Sequence, residues 1–194
     1  PKFARPDSSC PRRTPHAAEL RNRGERRFIR WGPVLRLVQI EIVQFAPAFP
    51  GRQENWRKIQ AWAEQSPADI VLFPELSSCG YMYESPKEIG PYVDGPSALH
   101  PLERLSARTG KLIVGGFAEL AGGERYNSAF AVGPDGTSIY RKIHLWNREK
   151  LIFEEGDQPC LIEYQGRKVG IEICYDLQFP ELSAYLSRCG AELI

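Results

Sequence analysis

The sequence predicts a layered α/β domain from about Val34 onward, a mixed sheet covered by helices. Three observations point to it. A strand–helix–strand order runs from Leu35 to Phe73. Two turn signals, Gly133-Pro-Asp-Gly136 and Gln165-Gly166, pair later strands as hairpins. Helical segments lie between the strand pairs, and the hairpins argue against a purely parallel, doubly wound sheet.

Each element has its own local cause. Leu35 to Phe45 partly alternates apolar and polar residues and is rich in β-branched ones, so it reads as a strand that Pro47 and Pro50-Gly51 end. From Asn55 to Gln65, Trp56, Ile59 and Ala63 recur at helical spacing. Asp69 to Phe73 is a short buried strand running into Pro74-Glu75. Leu99, Leu102 and Leu105 mark a second helix, with Gly110 just past its end. Lys111 to Glu119 is a strand carrying a Gly115-Gly116 pair, and Asn127 to Val132 pairs with Ser138 to Arg141. Residues 142–158 are polar and irregular, interrupted by Leu151-Ile-Phe153. Leu161 to Tyr164 and Lys168 to Ile173 form the second hairpin, Asp176 to Arg188 a helix, and Ala191 to Ile194 the start of another strand. No internal repeat is present.

Composition bounds the function. A chain of 194 residues, 42% hydrophobic and 25% charged, suits one soluble globular domain and excludes a collagen, a coiled coil or a wholly disordered protein. The longest apolar runs, such as Ile70 to Phe73, are far too short to span a bilayer. A net charge of +1 argues against nucleic acid or a membrane surface as a partner. That total hides an asymmetry: residues 1–33 carry nine Lys or Arg against three acids, whereas the body, 34–194, is mildly acidic. The arm is expected to be disordered or not native. It partly fits a mitochondrial-type targeting peptide, but it has early prolines, three acids and no apolar face. Five cysteines without a CxxC pair argue against a disulfide framework or structural zinc and for a reducing, cytoplasmic location. Pro1 at the start, Met82 as the sole methionine and the apolar end Leu193-Ile194 lead us to expect that the chain is cut at both ends.

Three apolar strands each deliver a reactive side chain at their end: Val71-Leu-Phe-Pro74 delivers Glu75, Ile139-Tyr-Arg141 delivers Lys142, and Val169-Gly-Ile-Glu-Ile173 delivers Cys174. The chemistry is coherent. A thiol must lose its proton to become a nucleophile. Glu75 can accept that proton and return it to a leaving amine, and Lys142 can stabilise charge developing on a carbonyl oxygen. Backbone N–H groups at the turn after Cys174, that of Tyr175 first, can complete an oxyanion hole. Structural roles compete at each position: a lone Cys in an apolar strand is usually packing, Glu75 could favour a helix start, and Lys142 could be a solvated loop residue.

Three blocks weigh against those alternatives. Phe73-Pro-Glu-Leu76, Tyr140-Arg-Lys-Ile-His-Leu145 and Glu172-Ile-Cys-Tyr-Asp-Leu-Gln-Phe-Pro-Glu-Leu182 resemble, in order and spacing, the signature blocks of the carbon–nitrogen hydrolase (nitrilase) superfamily. The resemblance covers about Leu35 to Ile194. It implies an αββα sandwich, incomplete at its C-terminus, and a cofactor-free and metal-free hydrolase of non-peptide C–N bonds. By position Glu75 matches the general base, Lys142 the oxyanion lysine and Cys174 the nucleophile. Glu149 matches the second glutamate that relatives place beside the nucleophile. The substrate implied is a small amide; an N-carbamoyl compound, or an inactive truncated relative, remains open. Cys174-Tyr-Asp176 resembles the amidase and carbamoylase branches rather than the nitrile branch, which tends to carry Cys-Trp-Glu. Gln178 stands where several amidase relatives have Arg, which puts a carboxylate-bearing substrate in doubt. A homodimer or larger assembly is implied for the full-length form. Asn127, His144, Cys79, Cys160 and Cys189 are expected to be structural.

Overall fold

The central strands are apolar at consecutive positions because both of their faces are covered. The computed structural model describes residues 37–194; the basic arm and the first residues of the predicted opening strand lie outside them. Five strands, β1 (Ile40–Ile42), β2 (Ile70–Leu72), β3 (Leu112–Ala121), β4 (Glu124–Gly133) and β5 (Gly136–Arg141), form one sheet in that order. The first three run parallel, and β4 is antiparallel to both β3 and β5. A second sheet pairs β6 (Cys160–Tyr164) with β7 (Arg167–Ile171). The helices are α1 (Arg52–Gln65), the single turn α2 (Pro86–Ile89), α3 (His100–Thr109) and α4 (Pro180–Arg188).

The period of two along each strand sorts its side chains between two cores. On one face of the large sheet, Val71, Ile113, Phe130 and Val132 pack against Ile59 and Ala63 of α1 and Leu102 and Leu105 of α3. On the other, Ile70, Leu112, Val114, Ala129 and Ala131 meet Val169 and Ile171 of β7 and Leu182 and Leu186 of α4. The layers are therefore helix, sheet, sheet, helix, as the family resemblance implies. Lys111, just before β3, donates its ammonium to Ala63 O at 2.9 Å and caps the open carbonyls at the end of α1.

Several boundaries differ from the sequence expectation. Among the described residues the opening strand is Ile40–Ile42 alone, and Leu37 to Gln39 and Val43 to Phe45, which the sequence places in it, are not strand. Strands β3 and β4 are longer than predicted, because Gly122 and Gly123, at φ 63° and 91°, close a two-residue hairpin between them. The helix predicted from Asp176 to Arg188 is two pieces, a 3₁₀ turn (Cys174–Gln178) and α4. The pyrrolidine ring of Pro180 drives Phe179 out of the helical region, to φ −117° and ψ 88°, so one helix cannot pass through. The predicted last strand is a single parallel bridge, Val169 to Leu193.

Candidate active site

Glu75 follows β2 on a sharp turn. Leu76, next in sequence, holds φ 48°, a region costly for a non-glycine residue. Gly116 of β3 lies directly beneath: a Cβ there would come within 2.2 Å of Leu76 N and 2.6 Å of Glu75 Cα. The turn is bolted to Gly116 by three hydrogen bonds. Gly116 N donates to Pro74 O at 3.0 Å, and Gly116 O accepts from Ser77 Oγ at 2.9 Å and Ser78 N at 3.3 Å. Gly116 of the glycine pair noted in the sequence is thus the floor under Glu75, while Gly115 makes room for the side chains of Phe130 and Phe73.

Lys142 leaves the end of β5 under similar control. Its N–H donates to Asn127 O at 2.9 Å, and its carbonyl accepts from Gly156 N at 2.8 Å. Gly156 packs so tightly that a Cβ would sit 2.1 Å from Arg141 O. The region 142–158 is therefore held by backbone bonds although it reads as irregular. Glu149 lies in a 3₁₀ turn (Asn147–Leu151), and its Oε2 accepts from Trp146 N at 2.9 Å, which folds the carboxylate inward.

These elements bring three of the predicted groups into contact. The buried Lys142 ammonium donates to Glu75 Oε1 at 2.7 Å and to Glu149 Oε1 and Oε2 at 3.0 and 2.9 Å. Burial alone would lower the lysine's pKa; the hydrogen bonds and charges of Glu75 and Glu149 outweigh it and raise it, so the group stays a cation at neutral pH. Cys174 stands between β7 and its 3₁₀ turn with φ 45°, a second strained residue at this site. Its thiol is exposed, and its pKa is raised by partial burial first and then by the charge of Glu75. Lys142 acts the other way on it and Glu149 raises it further. Tyr175 is half-buried within the same turn, its ring edge-on to Phe179 at 5.4 Å.

Two residues join the group that the sequence did not assign to it. Asn127, expected to be structural, donates Nδ2 to Glu75 Oε1 at 2.7 Å and to Glu149 Oε1 at 3.3 Å. Tyr81 donates its hydroxyl to Glu75 Oε1 at 3.1 Å and also to Glu149 Oε1. Burial and both carboxylates raise the pKa of this phenol, which therefore stays protonated. A signal existed for both: Tyr81 closes the Cys79-Gly-Tyr81 turn, and Asn127 lies in Tyr126-Asn-Ser128. His144 faces away from this cluster, with Nδ1 2.8 Å from Asp176 Oδ1. Cys79 is fully buried in a core cluster with Leu76 and Tyr83, and burial pushes its thiol up to about 11.

Glu75 and Cys174 border a cavity of about 460 Å³ between the two sheets, walled by Ile40, Ile42, Leu72 and Ile171. On the other side of Tyr81 and Glu149, a cavity of about 230 Å³ is lined by Leu76, Met82, Trp146 and Phe153. Among the described residues no group of three or more His, Cys, Asp or Glu is placed to hold a metal ion. Nor is any described helix long and apolar enough to cross a membrane.

A buried lysine held between two glutamates, beside a strained cysteine on an αββα sandwich, defines a class of protein. Residues 35–194 match the carbon-nitrogen hydrolase family, and the chain belongs to it. It is 36% identical over 167 residues to a nitrilase from Pyrococcus abyssi, covering 81% of this chain and 63% of that protein. It is 32% identical over 161 residues to an (R)-stereoselective amidase from a Pseudomonas species, covering 81% and 58%. Among solved structures it resembles an amidase of the nitrilase superfamily from Nesterenkonia AN1, with 25% identity and a TM-score of 0.70 over 80% of this chain and 63% of that one. It also resembles a CN-hydrolase superfamily protein from Xanthomonas campestris, with 26% identity and a TM-score of 0.65 over 74% and 56%. The chain thus spans about three fifths of the length of the curated relatives it matches.

Proposed function

We propose that the protein hydrolyses the C–N bond of a small amide through a covalent cysteine intermediate. One observation carries this most directly: Lys142, Glu75 and Glu149 form a single hydrogen-bonded cluster, and Cys174 borders the same cavity as Glu75. The raised pKa of the Cys174 thiol makes a base necessary at neutral pH, and Glu75 is the carboxylate beside it.

The steps follow from these positions. Glu75 takes the thiol proton as sulfur attacks the carbonyl carbon. The resulting oxyanion is stabilised by the Lys142 ammonium and the Tyr175 N–H. The C–N bond breaks, and Glu75 gives its proton to the departing ammonia or amine, leaving a thioester on Cys174. Water, losing a proton to Glu75, attacks the thioester, and collapse expels the thiol with the acid product. Glu149 and Asn127 keep Lys142 and Glu75 oriented throughout.

An amide suits this site better than a nitrile. Its carbonyl places charge on oxygen, where Lys142 meets it directly, whereas a nitrile develops charge on nitrogen in a linear geometry. The test is ammonia release from small amides, N-carbamoyl amines and matched nitriles, with wild type and Cys174→Ala side by side. Amides should turn over at least about tenfold faster than nitriles of equal chain length, a margin of roughly 1.4 kcal/mol. Cys174→Ala should be inert. Faster release from N-carbamoyl amines would move the substrate to that class. Equal nitrile turnover, or activity surviving in Cys174→Ala, would overturn the proposal.

A further inference from the structure

We propose that Asp176 is a positioning residue that locks the Lys142 strand end to the Cys174 turn. The inference rests on the hydrolase function proposed above and concerns how its two key groups are held at a set separation.

Lys142 and Cys174 belong to different sheets. Lys142 follows β5 of the large sheet, and Cys174 follows β7 of the small one. Apolar packing joins the sheets, but it is non-directional and sets their relative position only loosely. Hydrogen bonds are directional, and one carboxylate supplies them across this junction. Asp176 is fully buried, two residues after Cys174. Its Oδ1 accepts from His144 N at 3.0 Å and His144 Nδ1 at 2.8 Å. Its Oδ2 accepts from Tyr140 Oη at 2.8 Å and Ile173 N at 3.0 Å. Three donors therefore come from residues two positions before and two after Lys142, and the fourth immediately precedes Cys174.

The chemistry of the group suits this task. A carboxylate is acceptor-only, so it satisfies four donors at once, and His144 must carry its proton on Nδ1. The His144 ring then stacks on Phe179, from the segment after Cys174, with centroids 3.8 Å apart and planes 7° from parallel. An asparagine of the same shape would turn an N–H₂ toward two of the four donors. Burial without a partner is costly, so the local geometry would have to give.

The experiment reads the thiol rather than turnover. Cys174 is alkylated with iodoacetamide between pH 6 and 10, and its modification is followed by mass spectrometry in wild type, Asp176→Asn, Tyr140→Phe and Leu186→Ala. The charged groups facing the thiol are Glu75, Lys142 and Glu149, and of these Lys142 alone favours the thiolate. Loosening Lys142 should slow alkylation of Asp176→Asn at least tenfold at pH 8 and move its profile to higher pH. Tyr140→Phe removes one donor of four and should move the profile the same way by about two- to threefold. Leu186→Ala, a core truncation in α4, lowers thermal stability without removing any of the lock's hydrogen bonds and should keep the wild-type profile. If Asp176→Asn does not fold, Tyr140→Phe decides the question. Profiles that superimpose on wild type, faster alkylation, or an equal change in Leu186→Ala would overturn the proposal. A wild-type protein that alkylates normally but releases no ammonia would defeat the function while this comparison still stands.

Discussion

Lys142 Nζ donates to Glu75 Oε1 over 2.7 Å, across 67 residues of sequence, with the lysine side chain wholly buried. The contact joins the end of the antiparallel half of the sheet to the end of its parallel half. Glu149 contacts the same ammonium at 2.9 Å. One cation thus separates two carboxylates in a mostly buried site, and several consequences can be measured.

Removing that cation should leave Glu75 and Glu149 facing each other without a compensating charge. Lys142→Met should lose about 3 kcal/mol of unfolding free energy in urea, the usual scale for breaking a buried ion pair. Adding Glu75→Gln and Glu149→Gln should recover most of it. A loss below about 1 kcal/mol would mean that water reaches the carboxylates freely.

Gly116 is expected to be intolerant of even a methyl group. A Cβ there would lie 2.2 Å from Leu76 N, so the turn carrying Glu75 must move. Gly116→Ala should reduce kcat/KM by at least about a hundredfold, as ångström-scale misplacement of a base does, while circular dichroism stays native. Activity within twofold of wild type would show that Glu75 tolerates displacement.

Tyr81→Phe tests the phenol that bridges the two glutamates. Its hydrogen bonds to charged acceptors have a typical worth of about 1.5–3 kcal/mol, so kcat should fall roughly tenfold or more. Burial and the two carboxylates favour the neutral phenol in the folded protein. Tyrosinate absorbance of wild type and Tyr81→Phe should therefore coincide as pH rises through 10 in the native state. A wild-type excess of one ionised tyrosine there would contradict the geometry.

Glu75→Gln should separate thiol reactivity from catalysis. After burial, the charge of Glu75 is the next cause that holds the Cys174 thiol protonated. Its removal lowers the thiol's pKa, so the thiolate fraction at pH 8 rises. Iodoacetamide should then alkylate Cys174 faster in Glu75→Gln than in wild type, although amide turnover collapses for want of a base. Slower alkylation would place the carboxylate's influence elsewhere.

What the sequence determined by itself was local. Apolar strands ending in Glu75, Lys142 and Cys174 were legible because strand periodicity, Pro74 and the block motifs are short-range signals. The two hairpin turns, the glycine cap of α3 and the layered α/β class were legible for the same reason. The split at Phe179-Pro180 was available in the sequence and outweighed by the apolar pattern around it. The partnership of Lys142 with Glu75 and Glu149 was decided by tertiary structure, as was the entry of Asn127 and Tyr81 into their network. Those contacts depend on the order β2-β3-β4-β5 and on the register that sets Ser128 against Arg141, so that Asn127 O receives the Lys142 N–H one step further on. Strand order and register follow from which faces bury together, a property of the whole core. No window of neighbouring residues contains it.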